Sequence, residues 1–205
     1  MSKDQLQIWN TKLKGIPPQG IIAWAIQQGS KPVITTNFRP YEVAILHVVA
    51  EVNRNIPVIW CDTGYNTPET YTHANELISR LKLDIKLYVP KQTAAHRDAV
   101  MGIPAVDDPL HKIFTDQVKL EPFKRAMQEH KPDVWFTNLR KGQTTHRDSL
   151  DIVSLGKDGV LKVSPFYNWS DAELDDYLEE HNLPNEHTYF DPTKVLENRE
   201  CGLHL

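Results

Sequence analysis

The feature that most constrains this chain is a repeated change of hydrophobic period. Between Pro32 and Asn138, short β-branched and aromatic runs alternate with longer stretches whose apolar residues recur at helical spacing. "KPVITT", "IPVIWCD", "LDIKLYV" and "DVWFTN" read as strands, because brief apolar runs bounded by turn residues suit strands buried on both faces. Between them lie a helix opened by Pro40, a helix over "TPETYTHANELISRLK" and a helical region ending in "KLEPFKRAMQEH". In the first of these, Tyr41, Ala44, Ile45, Val48 and Val49 share one face. Successive parallel strands need a crossover, and a helix supplies it. The expected fold is therefore α/β: a three-layer sandwich about a mainly parallel, twisted, Rossmann-like sheet.

Outside that alternation the signals differ. "SKDQLQIWNTKL" and "PPQGIIAWAIQQGS" read as two N-terminal helices. "LDIVSLGKDGVLKVSP" reads as two short strands about a turn at Gly156–Gly159, and "SDAELDDYLEEHN" as a helix capped by Ser170 with carboxylates in its first turn. From "LPNEHTYFDPTK" onward, turn and polar residues dominate. The reading is one domain over 1–205, with N-terminal helices in 1–30, an α/β core in 31–190 and a tail in 191–205.

Composition removes several function classes. The 205 residues suffice for a sizeable core, and a net charge of −4 offers no basic excess for a nucleic-acid backbone. No apolar run approaches the ~18 residues of a membrane span, and "MSKDQLQIWNTKLKG" lacks the apolar centre of a signal peptide. A cytoplasmic protein is expected, with no nucleic-acid or membrane partner. Two cysteines, Cys61 and Cys201, make neither a disulfide framework nor a four-thiolate site, and the nine histidines form no cluster at ligand spacing. No metal is expected. "HRD" occurs at His96–Asp98 and His146–Asp148, but neither copy has the asparagine of a kinase catalytic loop, so the repeat reads as coincidence.

An open parallel sheet binds ligands beyond the carboxyl ends of its strands, and three segments end up there. "TTNFRP", Thr35 to Pro40, offers hydroxyls, amide groups and Arg39 near a helix start, a combination suited to an anion such as phosphate. An ordinary capped turn is the alternative, and the loop lacks Walker glycines. "CDTGY" places Asp62 for a ribose or base and Gly64 for close backbone approach, while Cys61 reads as the buried end of a strand. "NLRKGQTTHRD" brings Arg140, Lys141 and Arg147 into one loop, and arginines at a strand end match bidentate recognition of phosphate or sulfate. Together the three point to a phosphorylated ligand, a nucleotide in form.

With these pieces assembled, the chain resembles the phosphoadenylyl-sulfate (PAPS) reductase family. The matching segments, in family order, are "TTNFRPYEVAILH", "DTGYNTPETY", "KLEPFKRAM", "LRKGQTTHR" and the terminal "RECGLH". The resemblance implies the adenine-nucleotide α-hydrolase-like fold and a mobile C-terminal tail. It also implies thioredoxin-dependent reduction of PAPS to sulfite and adenosine 3′,5′-bisphosphate, with reduced thioredoxin or glutaredoxin as electron donor. Carried over, the nucleophile is Cys201, which would become an S-sulfocysteine. Thr35, Thr36, Asn37 and Phe38, with Arg39, would line the phosphate loop, and Asp62, Thr63 and Gly64 the nucleotide side. Arg140, Gln143 and Arg147 would hold the phosphosulfate end, with Lys119 and Glu121 as weaker candidates. Arg199 and His204 would flank the thiolate. Family members are often dimers, which makes a homodimer compatible with the resemblance.

Three departures accompany it. Arg39 and Pro40 stand where the family's phosphate loop continues Phe-Gly. The segment between Asp191 and Cys201 is short, lacking a Ser-x-Gly-Asp element. The paired cysteines of iron–sulfur members are missing, which favours PAPS over adenylyl sulfate (APS) and a cluster-free enzyme. APS reduction, an ATP-using enzyme of the same fold and a non-catalytic nucleotide-binding remnant are the competing readings.

Overall fold

The computed structural model describes residues 2–156 and 158–193. Two helices, α1 (Lys3–Leu13) and α2 (Pro18–Ala25), precede the first strand. There follow β1 (Pro32–Thr36), α3 (Glu42–Val52), β2 (Val58–Cys61), α4 (Pro68–Leu81) and β3 (Ile85–Tyr88). A helical run of α5 (Ala94–Val100), α6 (Leu110–Thr115), a π-helical turn (Asp116–Leu120) and α7 (Glu121–His130) leads to β4 (Val134–Phe136). The last elements are α8 (Thr145–Asp148), β5 (Val153–Leu155), β6 (Leu161–Val163) and α9 (Asp171–Glu180).

The strands form one sheet in the order β3-β2-β1-β4-β6-β5, parallel throughout except for the antiparallel β5–β6 pair. This is the α/β sandwich expected from the alternation. The two-residue period of each strand sorts its side chains between two layers. Ile34, Val58, Val134 and Phe136 face a large core built with α2, α3, α4 and α9. Val33, Ile59, Cys61 and Trp135 face Ala126, Phe123 and Met127 of α7. The edge strand β5 is closed by a side chain: Asn10 Nδ2 donates to the Val153 carbonyl at 3.0 Å, and Val153 N–H donates to Asn10 Oδ1 at 2.8 Å. An amide side chain thus substitutes for a further strand at an exposed edge.

The chain leaves β1 toward β2 on one side, while β4 lies on the other side, so the order reverses between β1 and β4. That reversal opens the crevice in which such sheets bind ligands. The helix after β1 begins at Glu42 and not at Pro40. Tyr41 has φ 66° and Phe38 φ 53°, so the chain reverses sharply before the helix can start. No described helix is long and apolar enough to cross a membrane.

Candidate functional site

A cleft of about 270 Å³ lies at the switch point, lined by the loop after β1, the end of β2, the loop after β4, the start of α7 and the segment after α9. Thr35, Thr36, Asn37, Arg39, Lys119 and Arg147 all line it. Phe38 does not: its ring is buried and packs edge-to-face on Trp60 at 4.9 Å.

The loop after β1 is organised by Glu42, a residue the sequence reading left out. Its buried carboxylate accepts from Thr36 Oγ1, Asn37 N–H and Arg39 Nε, each at 2.8 Å. Phe38 N–H turns back to Thr36 Oγ1 at 3.0 Å. The anion that this cradle holds is therefore the protein's own, while Arg39 also lines the cleft. Thr35 Oγ1 is likewise engaged, accepting from Trp135 Nε1 at 3.0 Å.

The loop after β4 divides its two arginines. Arg147 is buried, lines the cleft and donates to Gln143 Oε1, which also accepts from Arg140 N–H at 3.2 Å. Tyr167 fixes the same turn, its one hydroxyl proton shared between the carbonyls of Arg147 and Leu150 at 2.9 and 2.7 Å. Arg140 turns away from the cleft: it pairs with Asp171 at 2.6 Å and lies over the Tyr41 ring at 5.3 Å. It braces the loop against α9 and the residue that precedes α3. Lys141 is exposed.

The "DTGY" turn stands beside the cleft, with Cys61 in its wall and Asp62, Thr63 and Gly64 outside the lining. Asp62 Oδ1 accepts from Gly64 N–H at 2.9 Å, Asn66 Nδ2 at 2.8 Å and the Tyr71 hydroxyl at 2.9 Å. Gly64 has φ 81°, a conformation glycine adopts without steric cost. Burial and then the Asp62 hydrogen bond push the Tyr71 phenol up to about 12. Burial also pushes the Cys61 thiol up to about 12, which leaves no thiolate at neutral pH. The first "HRD" arginine, Arg97, is fully buried, donates to the Gln92 carbonyl at 2.8 Å and lies 5.9 Å from the centre of the Tyr65 ring. Both copies of the motif thus bury an arginine, one beside this turn and one in the cleft.

Lys119, on the π-helical turn, is almost completely buried and makes an ion pair with Asp191, with Thr193 Oγ1 at 3.2 Å. Burial alone would push the Asp191 carboxyl up. The Lys119 ammonium and the Thr193 hydroxyl and N–H outweigh that and hold it below the ordinary carboxylate range. Glu121 pairs instead with Arg125 and Lys91 and does not line the cleft. Asp191 belongs to a strap that runs from α9 across the cleft. On the way Asn185 Oδ1 accepts from Tyr41 N–H at 2.9 Å, and the Thr188 carbonyl accepts from Thr67 Oγ1 at 2.7 Å. Sequence reasoning missed Glu42, Asn138, Tyr189 and Asp191 of the lining. None belongs to a recognisable spacing, and only their shared position in space unites them. Arg199, Cys201 and His204 lie outside the described residues. Among those described, no three His, Cys, Asp or Glu side chains gather as a metal site.

Comparison with known proteins assigns the family. The sequence profile of the phosphoadenosine phosphosulfate reductase domain matches residues 31–192. A protein of Synechocystis sp. named phosphoadenosine 5′-phosphosulfate reductase is 37% identical, the alignment covering 100% of this chain and 92% of that protein. The alignment spans 232 positions for the 205 residues here, so at least 27 of them have no counterpart in this chain. A protein of the same name from Xylella fastidiosa (strain 9a5c) is 34% identical over 98% of this chain and 94% of its own. In fold, the chain is similar to the crystal structure of PAPS reductase from Candida auris in its phosphate complex, with a TM-score of 0.78, 23% identity and coverage of 90% and 89% of the two chains. By profile, relatives and fold alike, the chain belongs to the phosphoadenosine phosphosulfate reductase family.

Proposed function

We propose that this protein reduces 3′-phosphoadenylyl sulfate to sulfite and adenosine 3′,5′-bisphosphate, in sulfate assimilation, with reduced thioredoxin or glutaredoxin as donor. The observation that carries the reading is a convergence. Arg39, Lys119 and Arg147 meet in the switch-point cleft, and the strap reaching that cleft brings Asp191 and Thr193 onto Lys119. Only seven residues lie between Thr193 and Cys201, eight steps along the chain and at most roughly 29 Å when fully extended. A chain of that length lets the Cys201 thiol reach the site where the cations are.

In this reaction the Cys201 thiolate attacks the sulfur of the sulfonyl group. A sulfur–sulfur bond forms, the bond between that sulfur and the bridging phosphate oxygen breaks, and adenosine 3′,5′-bisphosphate leaves with the electron pair. A thiolate of the reductant then attacks the Cys201 sulfur and releases sulfite, leaving a mixed disulfide that the reductant's second thiol resolves. Arg147, oriented by Gln143, and Arg39 stabilise the charge that builds on the leaving phosphate. Thr35, Thr36, Asn37 and the Phe38 backbone shape the phosphate side, and Asp62, Thr63 and Gly64 bound the nucleoside side. Lys119 adds positive potential, Arg140 braces the loop that carries Arg147, and Arg199 and His204 favour the thiolate. Residues 31–190 serve as the nucleotide-binding core of a single domain. Nothing in the scheme calls for a cluster or metal, and a cytoplasmic setting would keep both thiols reduced.

Sulfite release from PAPS and, separately, from APS, with reduced thioredoxin, tests the reading in the parent chain and in Cys201→Ser. PAPS-dependent sulfite that vanishes in the variant is the expected result. Sulfite production surviving the substitution, or a clear preference for APS, would overturn it.

A further inference from the structure

Asn138 follows β4 directly, at the carboxyl end of the strand beside the switch point. Its backbone carbonyl is in use, accepting from Arg39 Nη2 at 3.1 Å. Its side chain is in a different state. The residue lines the cleft and is 6% exposed, and its Oδ1 is buried with no hydrogen-bond partner. A buried amide oxygen in that state has given up its hydration with no protein donor in return, which is costly unless a bound group supplies one. Hydroxyls lining the same cleft are committed elsewhere: that of Thr36 to Glu42, and that of Thr137 to Ser164 at 2.8 Å.

We infer that Asn138 is a specificity residue of this cleft, its Oδ1 accepting a hydrogen bond from an N–H or O–H donor on the nucleoside part of the substrate. This rests on the nucleotide reading given above. Phosphate and sulfate oxygens are largely deprotonated at neutral pH and act chiefly as acceptors, so they fall to Arg39, Lys119 and Arg147. An amide oxygen set among those cations repels an anionic oxygen and takes a donor. An adenine nucleotide whose 3′ and 5′ oxygens are esterified offers two such donors, the exocyclic amine of the base and the 2′ hydroxyl of the ribose. A site that hydrogen-bonds such a group discriminates strongly against an analogue lacking it, because the protein atom is then left unpaired.

Calorimetric titration tests this on the full chain, using adenosine 3′,5′-bisphosphate, inosine 3′,5′-bisphosphate and 2′-deoxyadenosine 3′,5′-bisphosphate. The parent should bind one of the two analogues about tenfold to hundredfold more weakly than the adenosine compound. That deficit should shrink to within about threefold in Asn138→Ala. A deficit for inosine identifies the amine as the donor, and one for the deoxy compound the hydroxyl. Equal binding of all three by the parent overturns the inference even if no variant folds. So does a deficit that persists undiminished in Asn138→Ala. If the parent does not bind adenosine 3′,5′-bisphosphate at all, the nucleotide reading itself falls, an outcome distinct from the other two.

Discussion

Glu42 occupies the place that the sequence reading reserved for a ligand anion. A hydroxyl, an N–H and a guanidinium from three nearby residues converge on its carboxylate, which is how a phosphate would be held. Removing it leaves all three donors without an acceptor. Glu42→Ala should therefore lower stability by about 3 kcal/mol, read from the denaturant midpoint at unchanged m-value. The two cysteines differ just as sharply. Cys61 is buried at the end of β2 with its thiol pushed up to about 12, whereas Cys201 is the proposed nucleophile. Brief iodoacetamide treatment of the native protein at pH 8 should give a single adduct by mass, absent in Cys201→Ser. Labelling of Cys61 before denaturation would contradict the assignment.

At the scale of elements, the loop after β4 shows how one segment divides its charges between support and the cleft. Three cations within eight residues read from sequence as one anion-binding group. The fold sends Arg147 into the cleft, Arg140 to Asp171 on α9 and Lys141 to solvent. The short helix α8 separates the two arginines: Thr144 caps it by accepting from Arg147 N–H at 3.2 Å, which fixes Arg147 one helical turn beyond the loop that carries Arg140. Arg147→Ala should weaken adenosine 3′,5′-bisphosphate binding about tenfold to hundredfold with little change in melting temperature. Arg140→Ala should do the reverse, costing about 1–3 kcal/mol of stability and less than about fivefold in affinity. Comparable affinity losses in both variants would show that Arg140 swings into the site.

The whole molecule joins its two ends of function through one buried ion pair. Lys119 comes from the helical run before β4, Asp191 from the strap after α9, and their meeting closes the far side of the cleft. Lys119→Met leaves the Asp191 carboxylate buried and unpaired, which should cost about 3–5 kcal/mol at pH 7. The sign with pH follows from the depressed carboxyl. In the parent, its contribution is present above the unfolded value of about 4 and is lost as pH falls through the lower folded value. In the variant, burial raises the same carboxyl, so acid favours the folded chain there. The stability gap between parent and variant should accordingly narrow below about pH 5 in matched urea titrations; a gap independent of pH would place its origin in packing and not in charge.

Periodicity alone determined the α/β class, the strand and helix order and the buried end at Cys61, because alternation between periods of 2 and 3.6 is written locally and its burial follows from side-chain chemistry. The segments "TTNFRP" and "LRKGQTTHR" were legible for the same reason, since strand ends in such a sheet must lie on one edge. What the sequence could not assign was the partner of each charge. Glu42, Asn138 and Asp191 carry no local signature, and Arg140 and Arg147 look alike in a linear string. Their roles were decided by contacts such as Arg39 with Asn138 and Lys119 with Asp191, between residues far apart in the chain. Such contacts exist only once the crossover from β3 to β4 and the returning strap have brought distant segments within hydrogen-bond reach, and a hydrogen bond or ion pair acts over ångströms of space, not over positions in sequence.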